Sequence, residues 1–215
     1  MFGNFSPEYL IYKIMAIPGL LLGFVLHEFA HAKVADRLGD PTPRSQGRIT
    51  LDPRAHIDIL GFIMIIIVGF GWAKPVMTNP SYYKKPKRDD ILVSLAGPFM
   101  NLLIAIVFLF LIKIVWVTRL FSGSDALESN ILRLFSITAL QNVLLFVLNL
   151  IPIPYFDGYH VIANLFNTWR YRFFNLLEQY NMIIFILLAV SGVFSRIITP
   201  PVNIIFGVLQ RLILS

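Results

Sequence analysis

"ILVSLAGPFMNLLIAIVFLFLIKIVWV", residues 91–117, carries one charged side chain, Lys113, near its far end. A helix needs about 20 mostly apolar residues to cross the hydrocarbon of a bilayer, so this stretch predicts a transmembrane helix. Three further runs extend the reading in both directions. Leu134 to Phe156 is apolar until prolines punctuate its last part, and Tyr9 to Leu26 is a third run. Met182 to Leu214 offers one or two more, interrupted by Arg196, Pro200 and Pro201. The whole chain agrees: of 215 residues, 57% are hydrophobic and only 14% charged, with a mean hydropathy of +0.73, far from the ordinary soluble mixture. The expected fold is an all-α polytopic membrane protein with four to six transmembrane helices. The first run is expected to be retained rather than cleaved as a leader, because Glu8 and no basic residue precede it and no small-x-small cleavage site comes before residue 27. Cysteine is absent, which excludes disulfides and thiolate metal sites.

The net charge of +6 is concentrated in two places. Residues 33–54 hold Lys33, Arg37, Arg44, Arg48 and Arg54 against three aspartates, and residues 74–90 hold Lys74, Lys84, Lys85, Lys87 and Arg88 against two. Residues 118–133 are balanced. Basic loops stay on the cytoplasmic side, so both basic loops are expected inside and residues 118–133 outside. This charge is read as setting topology; no nucleic-acid partner is expected. A conflict follows, because residues 57–73 join the two basic loops and are too short to cross twice as helices. Their isoleucines, with Gly61, Gly69 and Gly71, suit strands or a re-entrant loop as well as a helix. Residues 47–80 are therefore expected to form a small membrane-associated, partly β or re-entrant element after the first helix.

The first apolar run ends in "HEFAH", residues 27–31. His27 and His31 are one helical turn apart on nearly the same face, so both imidazoles can reach one ion while Glu28 points at its water. Ionisable groups beside a membrane span are expensive, which favours a functional reading over chance occurrence. A catalytic zinc takes three protein ligands and keeps one position open. Of the four glutamates, Glu8, Glu128 and Glu178 are poorly placed and Glu28 is taken as base. Asp157, in "NLIPIPYFDGYH" at 149–160, ends an apolar run where Pro152 and Pro154 interrupt the helix and Gly158 frees the backbone. A helix N-cap is the competing role for this aspartate. By the expected topology its run returns to the cytoplasmic face where His27 and His31 lie. His56 and His160 are weaker candidate ligands. Asn149 and Asn101 are candidate substrate-binding donors or anchors, and Gly97 is expected to let its helix pack closely on the HExxH helix.

Together, HEFAH at 27–31, "SLAGPFMN" at 94–101 and the NxxPxxxxDG pattern of Asn149, Pro152, Asp157 and Gly158 resemble the site-2 proteases, the intramembrane zinc metallopeptidases of the M50 group, in their short form without PDZ or CBS domains. The resemblance covers roughly residues 10–165. It implies Zn2+ as cofactor, His27, His31 and Asp157 as ligands, and Glu28 as general base. It also implies a transmembrane protein substrate cleaved within or near its membrane segment, the lipid bilayer as surroundings, and an active site towards the cytoplasm. A second copy of the chain stays open as a partner. The chain is expected to be one integral membrane domain over 1–215, with a catalytic core at about 8–165 and C-terminal membrane helices at about 175–215. Two other classes are weighed against this: an inactive zinc-binding scaffold, which has no need of Glu28, and a metal or ion transporter, whose site normally lies at a repeat interface, whereas no repeat is visible here.

Overall fold

The computed structural model describes residues 6–68, 71–121, 123–168 and 171–215; Gly69 lies outside the described residues. Among the described residues four helices are long and apolar enough to cross a membrane: α1 (Pro7–Arg37), the later helices at Pro86–Thr118 and Asp125–Asn149, and the segment Ser195–Leu214. The chain is thus a multi-pass membrane protein, and its described residues supply the lower number of expected spans.

α1 starts where the Ser6 side chain accepts a hydrogen bond from Tyr9 N at 3.3 Å, with Pro7 behind it, a favoured helix start. It runs unbroken through the HEFAH motif and ends at Arg37, with Leu38 as its cap and then Gly39, whose φ of 105° is open to glycine. Two short helices follow, α2 (Thr42–Ser45) and α3 (Pro53–His56), and then α4 (Ile59–Val68).

α4 corrects the expectation of a β or re-entrant element at 47–80. Among the described residues there is no strand. The isoleucine-rich run is a helix of 10 residues, because without a partner strand only a helix satisfies its own backbone groups in an apolar medium. The chain then returns extended along α4. A Cβ on Gly61 would lie 2.2 Å from Trp72 O, and one on Gly71 would lie 1.9 Å from Gly61 O. Glycine stands at both positions because two backbones touch there. Lys74 N donates to His56 O at 2.9 Å, so the segment begins and ends side by side. Arg48 fastens this base: it is buried and its guanidinium donates to the carbonyls of Ala55, Lys74 and Pro75. Asp40, fully buried, accepts from Thr42 N and Asn79 N.

α5 (Pro86–Thr118) holds the opening stretch of the sequence, and α6 (Asp125–Asn149) starts at Ser124, whose side chain accepts from Leu127 N. α6 stops at Asn149, earlier than the apolar run suggested, ahead of Pro152 and Pro154. α7 (Asp157–Phe166), α8 (Arg172–Gln179), α9 (Asn181–Val190) and α10 (Val193–Leu214) complete the chain. α10 continues through Pro200 and Pro201. α1, α5 and α6 pack on one another. α10 closes the far side, where Ile198 and Val202 meet Ala105, Val143, Phe146 and Val147, and Ile213 meets Leu109, Ile112 and Ala139. The bundle leaves the HEFAH end of α1 facing α5, α7 and the extended segment 71–79.

Candidate metal centre

His27 and His31 are both buried, with their Nε2 atoms 2.9 Å apart. Each ring is held from behind. His27 Nδ1 lies 2.6 Å from Asn101 Oδ1, and His31 Nδ1 lies 2.7 Å from the carbonyl of Val93. Oxygen acceptors at both Nδ1 atoms leave both Nε2 lone pairs aimed at one point, the usual arrangement behind a metal-binding imidazole. Asp157 meets them there: its Oδ2 is 3.2 Å from His27 Nε2 and its Oδ1 is 3.4 Å from His31 Nε2. A tetrahedral ion with bonds of about 2.0–2.2 Å sets its ligands about 3.3 Å apart. Asp157 Oδ2 is buried with no hydrogen-bond partner, and among the described residues these three side chains form the group that could hold an ion.

The backbone makes room for them. A Cβ on Gly97 of α5 would lie 2.3 Å from His31 Nε2 and 2.5 Å from His27 Nε2, so this glycine makes room for the two imidazoles as well as for close helix packing. Gly158 has a similar reason. A Cβ there would lie 2.3 Å from Leu150 O, and its φ is negative. Close approach of α7 to the end of α6, rather than backbone freedom, requires glycine here. Asp157 opens α7 as its first residue, with Phe156 in the cap position, which replaces the N-cap reading.

Glu28 is buried and its Oε2 accepts from Val76 N at 2.8 Å. The extended segment thus holds one carboxylate oxygen and leaves the other free. His27 and Glu28 lie where two cavities meet. One of about 430 Å³ is largely apolar, with Phe24, Ile65, Trp72, Leu148 and Phe185 in its wall. The other, about 640 Å³, also reaches His31 and Asp157 and is lined by Thr78, Lys87, Asp90, His160 and Asn164. Tyr155 borders both. Its φ of 105° is rare for an aromatic residue, and its ring stacks on Phe185 with centroids 4.8 Å apart. Burial, and then the charge of Asp58, raises its phenol above the ordinary tyrosine range.

These features add up to two buried histidines and a half-buried aspartate that could hold one metal ion, with a carboxylate beside them. The Peptidase family M50 model matches residues 15–191. The chain belongs to peptidase family M50. It is similar to YwhC of Bacillus subtilis (strain 168), 36% identical over 200 residues that cover 91% of each chain. It is 29% identical over 188 residues to Rip2 of Mycolicibacterium smegmatis, covering 85% of this chain and 69% of the relative. It is 33% identical over 151 residues to Rip2 of Mycobacterium tuberculosis (strain H37Rv), covering 68% and 55%. All three relatives carry zinc metalloprotease names. No solved structure gives a significant match.

Within this M50 chain the other candidates separate. His56 is fully buried, with Nε2 2.8 Å from Thr50 O, and His160 is exposed at the rim of the larger cavity; neither joins the ligand group. Asn149 borders both cavities while its amide donates to Leu145 O of its own helix. Asn101, a candidate substrate donor or anchor, borders the apolar cavity and has its polar atoms engaged by His27, Gly23 and Asn142. Asn142 and the Val76 N–H were absent from the sequence reading. A lone asparagine in the apolar stretch of α6 was the available signal for the first; nothing in the letters marks the second.

Proposed function

We propose that this chain is an intramembrane zinc metalloendopeptidase that hydrolyses a peptide bond within or near a transmembrane segment of a membrane protein. The observation that carries this reading is the meeting of His27, His31 and Asp157 around one point, beside Glu28, at the junction of an apolar and a polar cavity. The donor set suits zinc, which accepts imidazole nitrogen and carboxylate oxygen and wants three protein ligands in a catalytic site. Zinc held there supplies Lewis acidity to a scissile carbonyl and lowers the pKa of water at the site. Glu28, with Oε2 held by Val76 N–H, uses its free oxygen to take the proton of the attacking water and hand it to the leaving amine.

A helical peptide bond is shielded by its own hydrogen bonds, so a substrate helix has to unwind before it can be cut. The apolar cavity suits the side chains of such a segment, and the polar cavity, with Lys87, Asp90 and His160, suits water. The adjacency of His56 and Lys74 keeps both basic loops at one end of the molecule, which supports placing them and the site towards the cytoplasm. The packing of α10 on α5 and α6 supports reading residues 1–215 as one domain around a catalytic core at about 8–165.

The test is co-expression with single-span membrane proteins of the same cell. Wild type is expected to cleave a subset of them, and Glu28→Gln none. Cleavage by both proteins, or zinc transport into vesicles that needs the ligands and not Glu28, would refute the peptidase reading.

A further inference from the structure

Asn101, Asn142 and Thr138 are essentially fully buried between α1, α5 and α6, and backbone carbonyls beside each asparagine decide the direction of their hydrogen bonds. Asn142 faces two backbone carbonyls, Thr138 O at 2.9 Å and Gly19 O at 3.4 Å. Carbonyls only accept, so the amide nitrogen of Asn142 turns to them and its Oδ1 turns the other way. That oxygen accepts from Asn101 Nδ2 at 2.9 Å, which also donates to Gly23 O at 3.2 Å. Asn101, so oriented, presents its own Oδ1 to His27 Nδ1 at 2.6 Å. The ring must therefore carry its proton on Nδ1, and Nε2 keeps the lone pair a metal needs. If the Asn101 amide were reversed, its NH2 would face Nδ1, favouring the other tautomer and a protonated Nε2.

We infer that Asn142 is a positioning residue of the metal centre: together with the Gly23 carbonyl it holds Asn101 in the orientation that fixes which nitrogen His27 offers to the ion. This rests on reading His27 as a ligand. Asn142 touches neither the ligands' meeting point nor either cavity. Gly23 of α1 leaves room for this relay, since a Cβ there would lie 2.8 Å from Asn142 Oδ1, 2.9 Å from Leu145 Cδ1 and 3.4 Å from Asn101 Nδ2. Simple helix adhesion would be served by any hydrogen-bonded pair. The relay needs an acceptor facing Asn101.

The experiment compares zinc affinity, by chelator competition in detergent, for wild type, Asn142→Leu and Asn142→Asp, with 15N-histidine spectra of the zinc-loaded proteins; four histidines keep the spectra simple. Asn142→Leu is expected to bind zinc about 10–100-fold more weakly. Asn142→Asp, kept neutral by its full burial, turns its O–H to the Thr138 carbonyl and its other oxygen to Asn101, and stays within about threefold of wild type. In wild type the His27 Nδ1–H is a slowly exchanging, downfield proton, and in Asn142→Leu it is lost to solvent exchange. Should Asn142→Leu not fold, Gly23→Ala supplies the perturbation and is expected to weaken zinc in the same direction. The relay is refuted if Asn142→Leu, or Gly23→Ala in its place, binds zinc like wild type, if the aspartate variant is as weak as the leucine one, or if wild-type zinc is bound through Nδ1 of His27. A wild type that takes up no zinc refutes the ligand assignment along with it.

Discussion

The two halves of the candidate metal centre are built in different ways. His27 and His31 sit inside the longest uninterrupted stretch of α1, and each ring is tethered from behind by an acceptor on α5. Asp157 arrives after a proline-broken turn, at the first position of a helix of 10 residues, and its Oδ2 has no hydrogen-bond partner. The histidine half is held by a buried polar network inside the helix bundle. The aspartate half is held by backbone packing, above all Gly158 against Leu150. The polar network restricts ring orientation and tautomer together, whereas the packed backbone restricts position only. The difference suggests that the histidines form a standing part of the site and that the aspartate completes it.

Substituting the glycine behind each half tests this contrast. Gly97→Ala places a methyl group against both Nε2 atoms, so zinc affinity is expected to fall by more than about 100-fold, beyond the usual loss for an outer partner, with the fold retained by circular dichroism. Gly158→Ala presses on the Leu150 carbonyl instead and is expected to cost about 1–3 kcal/mol of stability as overpacking, read as a lower melting temperature with a smaller loss of zinc. If the two variants lose zinc equally, the halves are not different in kind. Val76→Pro makes the smallest change: it removes the N–H that holds Glu28 Oε2 and should slow cleavage about tenfold, less than the roughly 100-fold or more that general-base catalysis itself contributes, while zinc content stays at the wild-type level. A simultaneous loss of zinc would mean that the extended segment supports the ligands as well.

The histidine half was legible in the sequence because a five-residue motif on one helix needs only helical periodicity to bring its side chains together. Asp157 could be reached through topology and the scarcity of alternatives. What stayed hidden depended on contacts across the chain. The isoleucines of 59–67 read as strand formers, yet strand formation needs a partner that the fold does not supply, and the helix won. The bond that Asn101 makes could not be named because its partner Asn142 lies 41 positions away on another helix. Gly158 read as a flexible point, and only the approach of the Leu150 carbonyl reveals why a side chain is excluded. The hold of Val76 on Glu28 is a backbone bond and leaves no trace in residue type.

The central claim is that one zinc ion and Glu28 act together on a membrane-embedded peptide bond. The most direct measurement is zinc content and cleavage of a reconstituted single-span substrate in the same preparations of wild type and Glu28→Gln. The expected result is about one zinc per chain in both proteins, cleavage by wild type that stops on chelation, and no cleavage by Glu28→Gln. Cleavage by Glu28→Gln, or cleavage by a wild type free of metal, would contradict it.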